Sequence, residues 1–204
     1  LSYFSIMSFM KKIGITGSIG SGKSFVGSLL RERGYMVLDA DRQVHELYRT
    51  SAPLRASIAQ AFGAESLTPE GVDRKYLARL IFKHDGARER LETLVCPYLT
   101  KSVGDFLMSE IPGGSGVKFV EAALFSRTPE IVAMLDEIWI VKAPEDVRLR
   151  RLIARGLGEE DARLRIQNQR GVCDESLFPG KCVRVLENAE GKPAIESQLD
   201  QLLL

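Results

Sequence analysis

The chain has 204 residues, of which 45% are hydrophobic and 27% are charged, and its formal net charge is +1. These values are typical of a globular protein and give no electrostatic reason to expect nucleic acid or a membrane surface as a partner. No apolar run approaches the roughly 18 residues of a membrane span, and the three cysteines form no C-x-x-C pair, which favours a reducing cytoplasm over a disulfide framework or a zinc site.

Residues 1–9 precede the first predicted strand. They carry neither the positively charged region nor the cleavage site of a signal peptide. We expect them to be a disordered N-terminal extension, and we expect a single domain over residues 10–204.

The most specific motif is a glycine loop between a predicted strand, 12–16, and a predicted helix, 25–33. Residues 17–24 match G-x-x-x-x-G-K-[ST], whose glycines let the backbone approach phosphate and whose amides form an anion site at the start of a helix. Lys23 is expected to reach the β- and γ-phosphates, and Ser24 to bind Mg²⁺. The alternative is a glycine-rich turn that binds nothing, which the complete motif and its flanks disfavour. The predicted ATP-binding residues here are Ser18, Ile19, Gly20, Ser21, Gly22, Lys23, Ser24 and Phe25.

A second strand is predicted at 35–38, and Asp39 and Asp41 follow it. Acidic residues at the carboxyl end of a strand beside a phosphate loop lie where open α/β sheets bind ligands. Asp is also a good helix N-cap residue, so a capped turn is the alternative. The two interpretations are compatible, because one aspartate can cap a helix while the other acts in chemistry.

No strand is predicted between residues 41 and 109. Helical patterns cover 43–49, 54–62, 73–82, 86–95 and 98–109, with Pro97 in the first turn of the last of these helices, and 111–116 reads as a linker. We predict that residues 42–116 form a helical insert that holds the second substrate.

Three further strands, at 117–121, 137–141 and 181–186, complete a predicted five-stranded parallel sheet. The middle one is almost continuously apolar, as expected for a strand covered on both faces. Glu121 ends the first of the three and has the form of a Walker B acid, so it is a candidate Mg²⁺ ligand together with Asp39, although strands often end in Glu. Residues 193–204 read as a closing amphipathic helix.

Residues 144–176 are rich in arginine. One interpretation is a solvated helical hairpin in which the acidic residues 159–161 pair with arginines. The other is a mobile lid whose arginines bind triphosphate oxygens through their planar forks. The phosphate loop favours the lid, and we expect only some of its arginines to touch nucleotide. The arginines are Arg148, Arg150, Arg151, Arg155, Arg163, Arg165 and Arg170.

Taken together, these segments resemble the dephospho-CoA kinase family from residue 12 to the end of the chain. The loop is similar to the family's G-G-I-G-S-G-K-[ST], with Ser18 in place of the second glycine. Residues 38–41 resemble its D-A-D segment, 73–82 its D-R-x-x-L-x-x-x-[VI]-F segment, and 91–97 its L-E-x-[IL]-x-H-P segment. Residues 152–155 and 162–169 resemble its lid, and 186–188 resemble its I-x-N.

The resemblance implies a three-layer α/β P-loop NTPase fold, with a five-stranded parallel sheet, a helical insert that binds the CoA moiety (42–116) and an Arg-rich lid (144–176). The core is then 10–41, 117–143 and 177–204. The implied reaction transfers a phosphoryl group from ATP to the ribose 3′-hydroxyl of dephospho-CoA, the last step of coenzyme A synthesis.

The resemblance also implies roles for single residues. Asp41 is the base that deprotonates the hydroxyl, Lys23 holds the transferring phosphoryl group, and Ser24 holds Mg²⁺. Arg151, Arg155 and Arg165 come from the lid, the first two as catalytic residues and the last two as ATP ligands. A monomer is expected, with a homo-oligomer left open.

Two departures from the family pattern bear on substrate binding. Cys96 stands where the family has His, and residues 122–126 replace its P-L-L-F-E. A non-catalytic nucleotide-binding scaffold is the alternative if these departures mark a decayed site. Another nucleotide or nucleoside kinase, which would differ only in its acceptor, is a further alternative. A GTP-dependent switch is disfavoured, because the chain has no N-K-x-D motif.

Overall fold

In the computed structural model, residues 10–84, 86–111 and 116–203 are described. They divide into two compact units. One comprises the described residues up to Asp39 and those from Leu107 onward, and the other is Ala40–Phe106. The predicted N-terminal extension, 1–9, and the middle of the predicted linker, 112–115, lie outside the described residues. None of the helices in the described part of the chain has the length and apolar character needed to cross a bilayer.

The elements follow one another as alternating strands and helices in the first unit and mainly as helices in the second. The strands are β1 (Lys11–Thr16), β2 (Met36–Asp39), β3 (Leu67–Thr68), β4 (Gly71–Val72), β5 (Val117–Glu121), β6 (Glu137–Lys142) and β7 (Cys182–Glu187). The helices are α1 (Lys23–Glu32), α2 (Ala40–Thr50), α3 (Ala52–Phe62), α4 (Arg74–Lys83), α5 (Ala87–Met108), α6 (Pro129–Ala133), α7 (Glu145–Ala154), α8 (Glu159–Asn168) and α9 (Lys192–Leu203).

The first unit is built on a five-stranded sheet of order β2-β5-β1-β6-β7, in which every neighbouring pair is parallel. The predicted α/β fold and its five strands are therefore confirmed. β1 lies at the centre, and its Ile13 and Ile15 are fully buried. The predicted apolar stripe of α1, Val26, Leu29 and Leu30, packs in the same cluster, which places the start of α1 above the carboxyl end of β1.

The second unit has its own apolar core. Leu54, Ile58, Leu77, Leu91 and Val95 are buried together, and they come from α3, α4 and α5. Asp73 caps α4, because its Oδ1 accepts hydrogen bonds from the amides of the second and third helical residues at 2.9 Å.

Two expectations for this part of the chain are wrong. No strand is predicted between residues 41 and 109, but Leu67 pairs with Val72 and Thr68 with Gly71 in an antiparallel ladder of two residues per strand. A ladder that short leaves no alternation of apolar and polar residues to be recognised. The helices predicted at 86–95 and 98–109 are one helix, α5, with Pro97 in its interior.

Helix α5 continues through Pro97 because of its buried side chains. Leu91, Val95, Leu99 and Val103 are all buried and recur every four residues, so one apolar stripe runs along the helix on both sides of the proline. Proline in a helix interior costs about 3 kcal/mol, and burial of four large apolar side chains at roughly 1.5–3 kcal/mol each outweighs that cost.

Glu137, at the start of β6, is a buried acid with three partners on neighbouring positions of the sheet. Its side chain is 5% exposed, and it lies 2.5 Å from Lys11 Nζ and 3.6 Å from Arg184 Nε. Trp139 Nε1 donates to its Oε1 at 2.6 Å. Burial acts to raise the pKa of Glu137, but the hydrogen bonds from Lys11 and Trp139 and the nearby charges bring that pKa below its ordinary value.

We expect Glu137→Gln to reduce the free energy of unfolding by about 1–3 kcal/mol at pH 7, because the ion pairs are lost while the bond from Trp139 is kept. A lowered folded-state pKa stabilises the fold above the ordinary glutamate pKa of about 4.3, and this stabilisation is lost as the pH falls through the folded-state value. Urea unfolding should therefore show a smaller difference in the free energy of unfolding between the wild type and Glu137→Gln at pH 4 than at pH 7. The exposed Glu190→Gln is the control, and a difference that is the same at both pH values would contradict this account.

Candidate phosphate-transfer site

The glycine loop lies where the sequence predicts it, between β1 and α1. Gly22 is the N-cap residue of α1 and has φ of +97°, in the left-handed region that favours glycine. The side chain of Asn188 also occupies the space that a Cβ on Gly22 would need. The second glycine of the motif is therefore required both for its conformation and for its close neighbour.

A cavity of about 270 Å³ opens above the loop. It is lined by the loop itself and by three residues from elsewhere in the first unit, Ala123, Arg155 and Gln169. The structure thus brings together the predicted ATP-binding residues from Ser18 to Ser24, and Arg155 of the lid with them. Phe25 packs against the apolar core below the loop instead. That these residues bind ATP stays a prediction. The cavity that they share is lined by a glycine loop at the start of a helix, and such loops bind phosphate.

Lys23 and Glu121 are joined by an ion pair. Lys23 Nζ donates to Glu121 Oε1 at 3.1 Å, and Arg31 Nη2 lies 3.6 Å from Oε2 of the same fully buried carboxylate. Gly27 makes room for it, because a Cβ on Gly27 would lie 2.5 Å from Glu121 Oε2. The acid at the end of β5 therefore holds the ammonium group of Lys23 at the base of the cavity.

The candidate metal ligands are grouped around that ion pair. Asp39, at the end of β2, is the register neighbour of Glu121 on β5, so the two residues lie side by side at the carboxyl edge of the sheet. Ser24 lines the cavity. Within the described residues Glu121 Oε2 has no hydrogen-bond partner, and no group of three or more His, Cys, Asp or Glu side chains could hold a metal ion. Such a donor set fits Mg²⁺ shared with phosphate oxygens, which needs only one or two carboxylates from the protein.

Arg151 ties the loop to the end of β7. Its Nη1 donates to the carbonyl oxygens of Gly20 and Ser21 at 3.3 and 3.1 Å, and its Nη2 donates to Asn188 O and Oδ1 at 3.0 and 3.2 Å. Burial, followed by the charges of Arg155 and Arg150, lowers the pKa of Arg151. The guanidinium predicted to close over triphosphate is thus bonded to the loop's own carbonyls.

Asn188 completes this arrangement and was not among the predicted site residues. It is 1% exposed, and its Nδ2 donates to Ser21 O at 2.8 Å. The sequence signal that could have identified it is the I-x-N resemblance at 186–188, which marks the residue but not its partner 167 positions earlier in the chain.

The lid is docked on the loop through Ile19. The Ile19 side chain packs against Leu152, Ala162 and Ile166, the buried residues of the hairpin formed by α7 and α8. The Ile19 amide donates to Gln169 Oε1 at 2.6 Å. Gln169 was likewise missed as a site residue, although it ends the lid motif at 162–169.

Among the other arginines of the lid, Arg155 fits a lid that binds nucleotide, whereas Arg163 and Arg165 fit a solvated, salt-bridged hairpin. Arg155 is exposed and lines the cavity. Arg163 pairs with Glu159 at 2.7 Å, and Arg165 pairs with Asp161 at 3.1 Å, both as exposed i,i+4 pairs. Arg165 does not line the cavity described above, so its contact with ATP stays a prediction that the structure does not support.

Asp41, the predicted base, belongs to the second unit. It is exposed and lies in the first turn of α2, two residues after Asp39. The helix begins earlier than predicted, so Asp41 is a helical residue rather than part of the turn before the helix. Its role as a base stays a prediction.

We expect Arg151→Lys to weaken ATP binding roughly tenfold, because a lysine cannot reproduce four bonds made from two guanidinium nitrogens. Isothermal titration of ATP without an acceptor measures this directly. Arg150→Lys is the matched control, since Arg150 is exposed and pairs with Asp146 at i,i+4. Unchanged ATP affinity in Arg151→Lys would show that the loop keeps its conformation without the guanidinium fork.

Comparison with known proteins agrees with this geometry. The family model described as dephospho-CoA kinase matches residues 11–183. A relative named dephospho-CoA kinase from Anaeromyxobacter dehalogenans is 36% identical over 196 residues, which is 95% of this chain and 91% of that protein. The crystal structure of TT1252 from Thermus thermophilus is 31% identical with a TM-score of 0.74, covering 95% of this chain and 96% of that one.

A solved structure named dephospho-CoA kinase from Campylobacter jejuni shares the fold, with a TM-score of 0.65 at 20% identity over 94% of each chain. The family model covers most of the chain, and the Anaeromyxobacter relative matches nearly its whole length. The chain therefore belongs to the dephospho-CoA kinase family.

Proposed function

We propose that this protein transfers the γ-phosphoryl group of ATP to dephospho-CoA, at the 3′-hydroxyl of its ribose, and releases ADP and coenzyme A. The observation that carries the proposal is the single cavity that gathers the phosphate loop, Lys23 and the lid residue Arg155 in a member of this family. Phosphoryl transfer asks little covalent chemistry of the protein, so positioned positive charge is the main requirement.

Lys23 and Arg155 supply that charge from two sides. Lys23 is part of the loop and is held by Glu121, so its ammonium group is already positioned when nucleotide enters. Arg155 comes from the lid and is exposed, so it is available to phosphate oxygens. Loop amides at the start of α1 add further donors, and the lid excludes water that would otherwise take the phosphoryl group.

Mg²⁺ is proposed at Ser24 with Asp39 or Glu121 as the acidic partner. When bound, it neutralises charge on the β- and γ-phosphates. The neighbouring positions of Asp39 and Glu121 in the sheet, and the position of Ser24 in the lining of the cavity, support this placement.

The second unit, Ala40–Phe106, is proposed to bind dephospho-CoA and to supply the base, Asp41. Its separate apolar core shows that it is an independently packed unit. Cys96 lies in this unit, half-buried, with its Sγ 3.8 Å from Thr100 Oγ1. The thiol therefore takes a position at which the family pattern has an imidazole. Cytoplasmic location and the monomeric state stay predictions.

We expect ADP release from Mg-ATP to depend on dephospho-CoA and to fall roughly a thousandfold or more in Lys23→Ala, since the variant loses the charge that follows the transferring phosphoryl group. Asp41→Asn should lower kcat by about a hundredfold to ten-thousandfold, the usual contribution of a general base. A coupled ADP assay measures both. Lys192→Ala and Asp200→Asn, at exposed positions of α9 in the first unit, are the controls.

Three outcomes would contradict parts of the proposal. ADP release that does not respond to dephospho-CoA, but responds to another nucleoside or nucleotide, would make the protein a kinase for a different acceptor. ATP binding with no turnover on any acceptor would indicate a nucleotide-binding scaffold. Normal kcat in Asp41→Asn would move the base to Asp39.

A further inference from the structure

Gln169 is held by the loop in one orientation. It follows the last residue of α8, and its backbone amide donates to Ile166 O at 3.2 Å, so its backbone is fixed by the helix end. Its side-chain oxygen accepts from the Ile19 amide at 2.6 Å. A backbone N–H only donates, so the amide atom that faces it must be the oxygen, and the NH₂ group occupies the other arm.

Two contacts join the lid and the loop at Ile19. Ile19 is fixed by its amide and also by its side chain, which packs with Leu152, Ala162 and Ile166 of the lid. Ile19 therefore makes both a polar contact, to the Gln169 carboxamide, and an apolar contact with the lid, and the hydrogen bond to its amide fixes the direction of the Gln169 NH₂ group.

The cavity needs hydrogen-bond donors, and few come from outside the loop. Three residues beyond the loop line the cavity, and of these only Arg155 and Gln169 carry side-chain donors, because the third is Ala123. Both donors belong to the lid, whereas Lys23 approaches from the loop.

We propose that the NH₂ group of Gln169 donates a hydrogen bond to the terminal phosphate of ATP, while its oxygen stays on the Ile19 amide. The proposal rests on ATP being the bound nucleotide, as the proposed function requires, but not on the identity of the acceptor. Gln169 is then a specificity residue that distinguishes ATP from ADP, because ADP lacks the phosphate group that the lid donors meet.

Binding of a non-hydrolysable ATP analogue and of ADP, each by isothermal titration without acceptor, tests this. Gln169→Glu keeps an acceptor for Ile19 but has no NH₂ group, and Gln169→Met has neither. We expect both variants to bind the ATP analogue roughly tenfold to a hundredfold more weakly, the usual loss for a hydrogen bond to a charged group, with ADP affinity changed less than about threefold.

Gln167→Glu places the same negative charge on the exposed face of the same helix and should leave both affinities as in the wild type. If Gln169 acts only by holding the loop, Gln169→Met will weaken the ATP analogue and ADP equally, and the proposal is then wrong. If the wild type binds ATP but does not phosphorylate dephospho-CoA, the proposed function fails while this test still decides the role of Gln169.

Discussion

The phosphate site depends on where the carbonyl groups of the loop point. Ser21 O is held by Asn188 Nδ2 and Arg151 Nη1, and Gly20 O is held by Arg151 as well. In a trans peptide the C=O and N–H of one unit point in opposite directions. Because Ser21 O points toward Asn188, the Gly22 N–H of the same peptide unit points away from Asn188. An anion site made of backbone donors therefore requires polar side chains on the other side of the loop, and the protein provides them from two distant segments.

This requirement explains why β7 and the lid are part of the site although neither carries the loop. Asn188 follows β7. Its backbone N–H donates to Lys142 O, at the end of β6, at 2.8 Å, and this bond fixes its position. Arg151 lies on α7, which follows β6 in the chain. The parallel order β1-β6-β7 brings these ends to the same edge of the sheet, so the sheet topology and the loop conformation depend on each other.

Much of this could be predicted from sequence, because the signals are local. The loop, the five strands and the apolar stripe of α1 each follow from a pattern within about ten residues. The bonds from Arg151 and Asn188 to the loop join residues 130 or more positions apart in the chain, and no periodicity encodes them. For the same reason Pro97 was expected to begin a helix: the local penalty of proline is visible in the sequence, whereas the buried stripe that outweighs it depends on the packing of α3 and α4.

The two cations that pair with Glu121 have different positions at the site. Glu121 is buried with Lys23 on one oxygen and Arg31 near the other, so a carboxylate that would be costly to bury alone is compensated by two cations. One of those cations faces the cavity, and the other lies on the exposed side of α1. We propose that an incoming triphosphate competes with Glu121 for Lys23 and leaves the carboxylate paired with Arg31. In that proposal the ammonium group follows the phosphoryl group without leaving an isolated buried charge behind.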